Sequence, residues 1–258
     1  MTVTLIAGAS SGIGRSVAKR LAKHGDSVGV IARRKILLDS LVSEIEQAGG
    51  IALAVRCDVT NAADVVSTVE KIEKTLGPID RLLANVGGGS RTYVGSFEAS
   101  HISEIMTLNL TAAANCIEAV LPGMLARGSG HIIATGSLAS YRGLPQAAGY
   151  SAAKAALANM MESLRIDLKP YGIDVTLLLP GFVRTNSLSK KKRPFELELE
   201  DATDRIVRAI ARRKRRYAFP IPLAILVGIG RLLPSRLYDR LLSGRGKKQK
   251  KATIGKQQ

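Results

Sequence analysis

The 258 residues predict an α/β fold: a doubly wound parallel sheet in a single domain, followed by a basic, partly amphipathic C-terminal extension. Three observations carry this. Short apolar runs at 3–7, 27–32, 51–55, 79–84, 131–135 and 173–179 have strand length and little period-two alternation, as strands covered on both faces do. Segments with helical spacing separate them, and regular strand–helix alternation implies right-handed crossovers in one sheet. A glycine-rich turn follows the first run directly, where the chain passes from strand to helix.

Each element has a local reason. The run 3–7 opens the chain, with no basic segment and apolar stretch ahead of it, so no signal peptide is expected and a cytoplasmic protein is predicted. Between the third and fourth runs, 63–76 places Val65, Val66, Val69, Ile72 and Leu76 on one helical face, and Gly77-Pro78 ends it. With 46% hydrophobic residues but four Phe, six Tyr and no Trp, the core is expected to be aliphatic. Two cysteines, Cys57 and Cys116, sit among apolar neighbours and are expected to pack as small hydrophobes. They are too few for a disulfide framework, and no metal site is expected.

Net charge is +17, unevenly distributed. From Arg205 to Gln258 there are 16 Lys/Arg against a single acid, Asp239, so the basic character belongs to the C-terminal part. Residues 182–204 also break the rhythm, with the basic run 190–193 followed by an acidic segment from Glu196 to Asp204. That stretch reads equally as a mobile substrate lid at the ligand crevice or as a solvated surface loop.

The turn reads Gly8-Ala9-Ser10-Ser11-Gly12-Ile13-Gly14. Glycines let the backbone turn sharply and approach a pyrophosphate, while the helix start behind them offers unpaired N–H groups and a positive dipole end. A purely structural turn is the bland alternative, made less attractive by the position at the head of a βαβ unit. The second run ends in Ala32-Arg33-Arg34-Lys35, with no acid before Asp39. An acid there would hold the 2′-hydroxyl of NAD; a guanidinium instead accommodates the 2′-phosphate of NADP. NADP(H) is therefore the expected cofactor, against the reading of Arg33 as a solvated charge.

Tyr150 and Lys154 open an Ala-rich helical segment four residues apart, hence on one face. An ammonium beside a phenol favours the phenolate, which suits proton exchange with a ketone or alcohol oxygen. Alone, such a pair is common on helix surfaces. Together with the glycine turn and Ser137, thirteen residues before Tyr150, it makes the chain resemble the short-chain dehydrogenase/reductase family. Further matches are Asp58, Ala84-Asn85-Val86-Gly87, Asn109 and Pro180-Gly181, and the resemblance spans about residues 2–220.

The resemblance implies a Rossmann-type catalytic domain over 1–220, an extension over 221–258, and a homodimer or homotetramer. It implies Tyr150 as general acid/base, Lys154 on the nicotinamide ribose and lowering the Tyr150 pKa, and Ser137 on the substrate oxygen. Asn109 would position a water linking Lys154 to solvent. The cofactor would be held by Gly8, Ser10, Ser11, Gly12, Ile13, Gly14, Arg33, Arg34, Asp58 at the adenine, Asn85, Pro180, Gly181, Val183 and Thr185 at the nicotinamide amide. Ala7 departs from the family's usual Thr, and Ala84-Asn85-Val86-Gly87 from its usual Asn-Asn-Ala-Gly. Both departures touch structural support rather than the proton relay.

The leading expectation is a reductase or dehydrogenase for a small carbonyl or alcohol, lipophilic in character. A 3-oxoacyl-carrier-protein reductase and a non-catalytic NADPH-binding membrane scaffold are the alternatives. Residues 223–230 are wholly apolar, and Leu233, Leu237 and Leu241 recur at spacing four beside Arg236 and Arg240. The uncharged stretch runs only over 217–230, interrupted by Pro220 and Pro222, short of the roughly 20 residues a spanning helix needs. Peripheral contact at the inner face of a membrane, packing on the chain's own domain or a neighbouring subunit, and binding of an acidic partner remain open. Nucleic acid is not expected, because no aromatics interleave the Lys-rich end.

Overall fold

The computed structural model describes residues 1–89, 91–185 and 193–243. Its elements follow the order β1 (Val3–Ala7), α1 (Gly12–Lys23), β2 (Ser27–Ala32), α2 (Lys35–Gln47), β3 (Ile51–Arg56), α3 (Ala62–Leu76), β4 (Arg81–Ala84), α4 (Ala99–Met106), α5 (Ala112–Arg127), β5 (Gly130–Thr135), α6 (Ala148–Asp167), β6 (Ile173–Pro180), β7 (Val183–Arg184), β8 (Leu197–Glu198), α7 (Leu199–Ala211), β9 (Arg216–Phe219) and α8 (Ile221–Leu232). Seven strands form one all-parallel sheet in the order β3-β2-β1-β4-β5-β6-β9. The doubly wound α/β expectation holds, and every strand run found in the sequence is a strand of this sheet.

Side chains alternate between two buried layers even though neither face is polar. In β1, Val3, Leu5 and Ala7 enter the layer with α3, α5 and α6, while Ile6 enters the layer with α1, α2 and α7. Ile132 and Ala134 of β5 similarly oppose Ile133. Burial on both faces explains why the sequence shows continuous apolar runs there. The α3 helix is started by Asn61, whose side chain accepts from the Asp64 N–H, and stopped at Gly77, φ +98°. Cys57 and Cys116 are both buried, and burial pushes the Cys116 thiol up to about 12, in keeping with a packing role.

One expectation is revised. Of the stretch 182–204, residues 197–204 are neither lid nor loop: β8 pairs with β7, and α7 begins at Leu199. Glu200 and Asp204 are tied to Arg20 of α1, and Arg184 holds Glu196 and Glu198, so the acidic cluster is a docking face for cations. The basic run at 190–192 lies outside the described residues. Beyond β9, α8 packs on the core through Leu223, Ala224 and Val227.

The helical stretch Ala99–Arg127, interrupted by a wide turn at 107–111, is apolar and long enough to cross a bilayer by composition. It packs into the domain core, with 44% of its apolar window buried inside the molecule. Phe219 closes the last strand, fully buried and stacked on Tyr217 with ring centroids 5.3 Å apart. Phe219→Ala is expected to lower unfolding free energy by about 3–5 kcal/mol in a urea titration. A loss below about 1 kcal/mol, the range of surface changes, would show that β9 is not part of the core.

Candidate active site

The carboxyl ends of the strands bring the site together. β1 delivers the glycine turn, β2 delivers Arg33 and Arg34, β3 delivers Asp58, β4 delivers Asn85 to Gly89, and β5 delivers Ser137. In open α/β sheets this edge, beside the strand where the order reverses, is where ligands bind.

The turn is steric necessity. Gly8 has φ +78°, and a Cβ there would collide with the Asn85 carbonyl; one on Gly14 would collide with the Gly8 carbonyl and lie 2.8 Å from Asn85 Nδ2. Ser11 precedes α1 without capping it by its side chain, and the first turn carries no acid. Unpaired N–H groups and the positive helix end therefore face the crevice, a donor set that fits a pyrophosphate. Gly12 lies against Thr185, whose methyl would be 3.3 Å from an added Cβ. Ile13 is half-buried under the turn, and the Val183 side chain is buried in the layer with Ile6 and Ile206, so both contribute packing.

At the adenosine end, a recess of about 230 Å³ is lined by Gly8, Arg33, Arg34, Asp58, Asn85 and Leu108, among others. Arg34 donates to Ser10 Oγ at 2.7 Å and Ser11 Oγ at 2.8 Å. Asp58 accepts from the Thr60 hydroxyl at 2.8 Å and its N–H at 3.1 Å. Those bonds, aided by the charges of Arg33 and Arg56, hold its carboxyl below the usual range. Two exposed guanidinium groups and two hydroxyls against one carboxylate make a donor set that fits an anionic group on the ribose. A larger groove of about 780 Å³ runs outside α1, where Arg15 pairs with Glu44 and Arg20 with Glu200. It meets the cradle at Ser10 to Gly12, Arg34 and Thr185.

The four catalytic candidates converge. Asn109 sits fully buried in the wide turn between α4 and α5, its amide N–H groups donating to Gly88 O and Ile105 O, both at 2.9 Å. Its Oδ1 has no hydrogen-bond partner among the described residues. That oxygen and Lys154 Nζ would lie 2.5 and 2.9 Å from a Cβ on Gly87, so the glycine is what admits both groups. Lys154 is buried and donates to Thr135 O at 2.9 Å. Ser137 caps a short turn, accepting from Ala139 N–H, and its side chain is near enough to the Tyr150 phenol to lower its pKa. Lys154 Nζ stands 5.9 Å from the centre of the Tyr150 ring.

Burial raises the Tyr150 pKa, and the Ser137 hydroxyl opposes the rise. Lys154 is itself withdrawn from water, which pushes its own pKa down to about 8, and its ammonium donates to Thr135 O.

Sequence reasoning missed two residues. Thr135 joins the site's halves, donating from Oγ1 to Asn85 Oδ1 at 2.9 Å while its carbonyl takes Lys154. Its place at the end of a strand, two residues before Ser137, was the available signal. Arg142, between Ser137 and Tyr150, donates to Gly230 O at 2.9 Å and Leu233 O at 2.6 Å and stacks on Tyr238, 3.9 Å from the ring centre. Nothing local marks it, since its partners lie some ninety positions away. Pro180 ends β6, and Gly181 turns beneath Leu223 of α8, which a Cβ would meet at 2.6 Å.

The chain is similar to known proteins in sequence and in fold. The chain is 37% identical over 237 residues to an uncharacterized oxidoreductase of Myxococcus xanthus, covering 91% of this chain and 94% of that one. A ketoacyl reductase, HetN, of Nostoc sp. is 32% identical over 189 residues, covering 73% and 66%. A short-chain dehydrogenase/reductase of Burkholderia phymatum, solved with NAD, superposes with a TM-score of 0.81 at 24% identity, covering 88% and 92% of the two chains. An alcohol dehydrogenase of the archaeon Thermococcus sibiricus, solved with 5-hydroxy-NADP, gives 0.75 at 27%, covering 84% and 94%. The sequence profile of the short chain dehydrogenase family matches residues 2–195, and with relatives this close over nearly the whole length the chain belongs to that family of oxidoreductases.

Proposed function

We propose that this oxidoreductase uses NADP(H) to interconvert a ketone and a secondary alcohol on an apolar substrate. The observation that carries the reading is the convergence of Asn109, Ser137, Tyr150 and Lys154 at the edge that also holds the glycine turn, Arg33 and Arg34. When bound, the nicotinamide supplies or accepts the hydride. The chain's own residues manage the proton and the oxygen. In reduction Tyr150 donates its phenolic proton to the substrate oxygen, and Ser137 donates to the same oxygen as charge builds. Burial keeps Tyr150 protonated at neutral pH, the form an acid needs. Lys154 holds the ribose hydroxyls, Asn109 Oδ1 orders a water beside it, and Arg33 and Arg34 hold the 2′-phosphate. A free-standing homodimer or homotetramer in the cytoplasm, with the extension touching a membrane surface, completes the reading.

A 3-oxoacyl-carrier-protein reductase is the second reading, favoured by the ketoacyl reductase relative and by the basic extension, which suits an acidic carrier. Turnover of a carrier-bound 3-oxoacyl thioester far above that of free ketones of equal length would favour it. A scaffold without catalysis has no use for the complete set of four.

Tyr150→Phe is expected to lower kcat by about a hundredfold to ten-thousandfold while NADPH affinity is unchanged, because only the phenolic proton is lost. Near-normal kcat would refute the assignment. Calorimetric titration is expected to show tighter binding of NADPH than NADH, with Arg33→Asp weakening NADPH about tenfold or more and NADH little. Equal affinities in the parent protein would reduce Arg33 to a surface charge.

Lys154 provides a pH test in the cofactor-free protein. Its pKa falls from 10.5 unfolded to about 8 folded, so between these values the unfolded chain binds more protons and stability rises with pH. The stability of the parent relative to Lys154→Met should therefore climb by roughly 3 kcal/mol from pH 8 to 10.5 in urea titrations. A flat difference would mean that Lys154 is solvated in the native state.

A further inference from the structure

Only part of α8 is used by the fold. Leu223, Ala224 and Val227 pack inward, whereas Ile221, Ile225, Leu226 and Ile229 on its outer side are each more than half exposed, and Leu232 is 83% exposed. The helix at 235–243 continues the surface with exposed Leu237 and Leu241. Contiguous exposed apolar surface on this scale marks an interaction site. Around it stand Arg231, Arg236 and Arg240, all exposed, and none paired with a carboxylate among the described residues. The chain after Ser243 adds Arg245, Lys247, Lys248, Lys250, Lys251 and Lys256 without one acid.

This surface is held against the catalytic machinery. Leu223 covers Gly181 beside Leu138, the neighbour of Ser137. Arg142 clamps the end of α8 through Gly230 O and Leu233 O, and the Tyr238 hydroxyl donates to Gly143 O at 2.7 Å. Other large apolar side chains exposed at the same edge, after β4, β5 and β6, are Val94, Phe97, Leu144 and Phe182. The exposed apolar groups and the active site thus share one end of the molecule.

We propose that the outer face of α8, continued by the helix at 235–243, docks on an anionic lipid bilayer, its apolar side chains entering the acyl boundary and its arginines meeting the headgroups, so that the catalytic edge of the sheet faces the lipid. The proposal deepens the reading of an apolar substrate and rests on it for the direction of substrate entry; the docking itself does not. An apolar strip flanked by unpaired cations is the pattern of an interfacial helix. Charge selects the occupant: a second copy seated on the same face would set the nine Lys/Arg and one acid of each 221–258 extension against their equals, whereas anionic headgroups neutralise them. Each basic residue near such a surface contributes about fivefold in partitioning. At 12 residues α8 is too short to span, so the contact is peripheral.

The absence of tryptophan makes a clean test possible. In full-length protein, Leu226→Trp on α8 and Val66→Trp on the exposed side of α3 each introduce a sole indole. Phosphatidylcholine vesicles containing phosphatidylserine should shift the Leu226→Trp emission to the blue and allow quenching by brominated lipid, with Val66→Trp unchanged. The parent protein should sediment with these vesicles and not with phosphatidylcholine alone. Ile225→Asp/Leu226→Asp should reduce binding at least tenfold, and raised salt should weaken the parent's binding without moving the bound Leu226→Trp spectrum. Tyr150→Phe should bind vesicles like the parent, so a failure of the reductase reading leaves this result standing. Three outcomes would overturn the proposal: no sedimentation of the parent at low salt; binding unchanged in the double Asp variant, which would assign it to the basic end alone; or self-association abolished by that variant without vesicle binding, which would make a second copy the occupant.

Discussion

Close backbone approach at Gly8 and Gly14 is the constraint on which the site depends. Side chains at either position would drive β1 away from the Asn85 carbonyl or α1 away from the strand that precedes it. Because β1 and β4 are hydrogen-bonded neighbours, that displacement would travel into the sheet and move Asn85. Asn85 in turn is bonded to Thr135, and Thr135 to Lys154. The glycine turn and the buried Lys154 are thus two ends of one chain of contacts. A third glycine, Gly87, gives Asn109 and Lys154 their space.

Burial sets the protons in opposite senses. Withdrawal from water raises Tyr150 and lowers Lys154, because it disfavours a phenolate and an ammonium alike. Each group is thereby moved toward its neutral form, and the pair is poised for small electrostatic changes to matter. The Lys154 ammonium stands 5.9 Å from the centre of the Tyr150 ring. Hydroxyl contacts, from Ser137 to Tyr150, remain the direct influence on the phenol.

The C-terminal extension is joined to this machinery by a guanidinium. Arg142 satisfies carbonyls at the end of α8 that no helical N–H can reach, and stacks on Tyr238 beyond it. The loop carrying it lies between Ser137 and Tyr150 in the chain, so the extension is fastened to the segment that joins those two residues.

The sheet and most of the site were legible in the amino-acid order because their causes are local. Continuous apolar runs reflect burial on both faces; the glycine turn, Arg33, Asp58 and the Tyr150/Lys154 spacing each act within a few residues of a strand end. The start of β4 at Arg81 rather than residue 79 was not legible, since Asp80 spends its carboxylate on the Val3 N–H, 77 positions away. Nor was the fate of the acidic segment 196–204, because charge alone does not reveal that Arg20 and Arg184 await it. Composition by itself determined that the tail would be basic and apolar by turns, with its uncharged stretch at 217–230 shorter than the roughly 20 residues of a spanning helix. Only the tertiary structure decided which of its side chains face inward, that Arg142 would clamp it, and how far burial would move Tyr150 and Lys154. Those depend on packing and dielectric surroundings assembled from distant residues, which no spacing rule along one chain encodes.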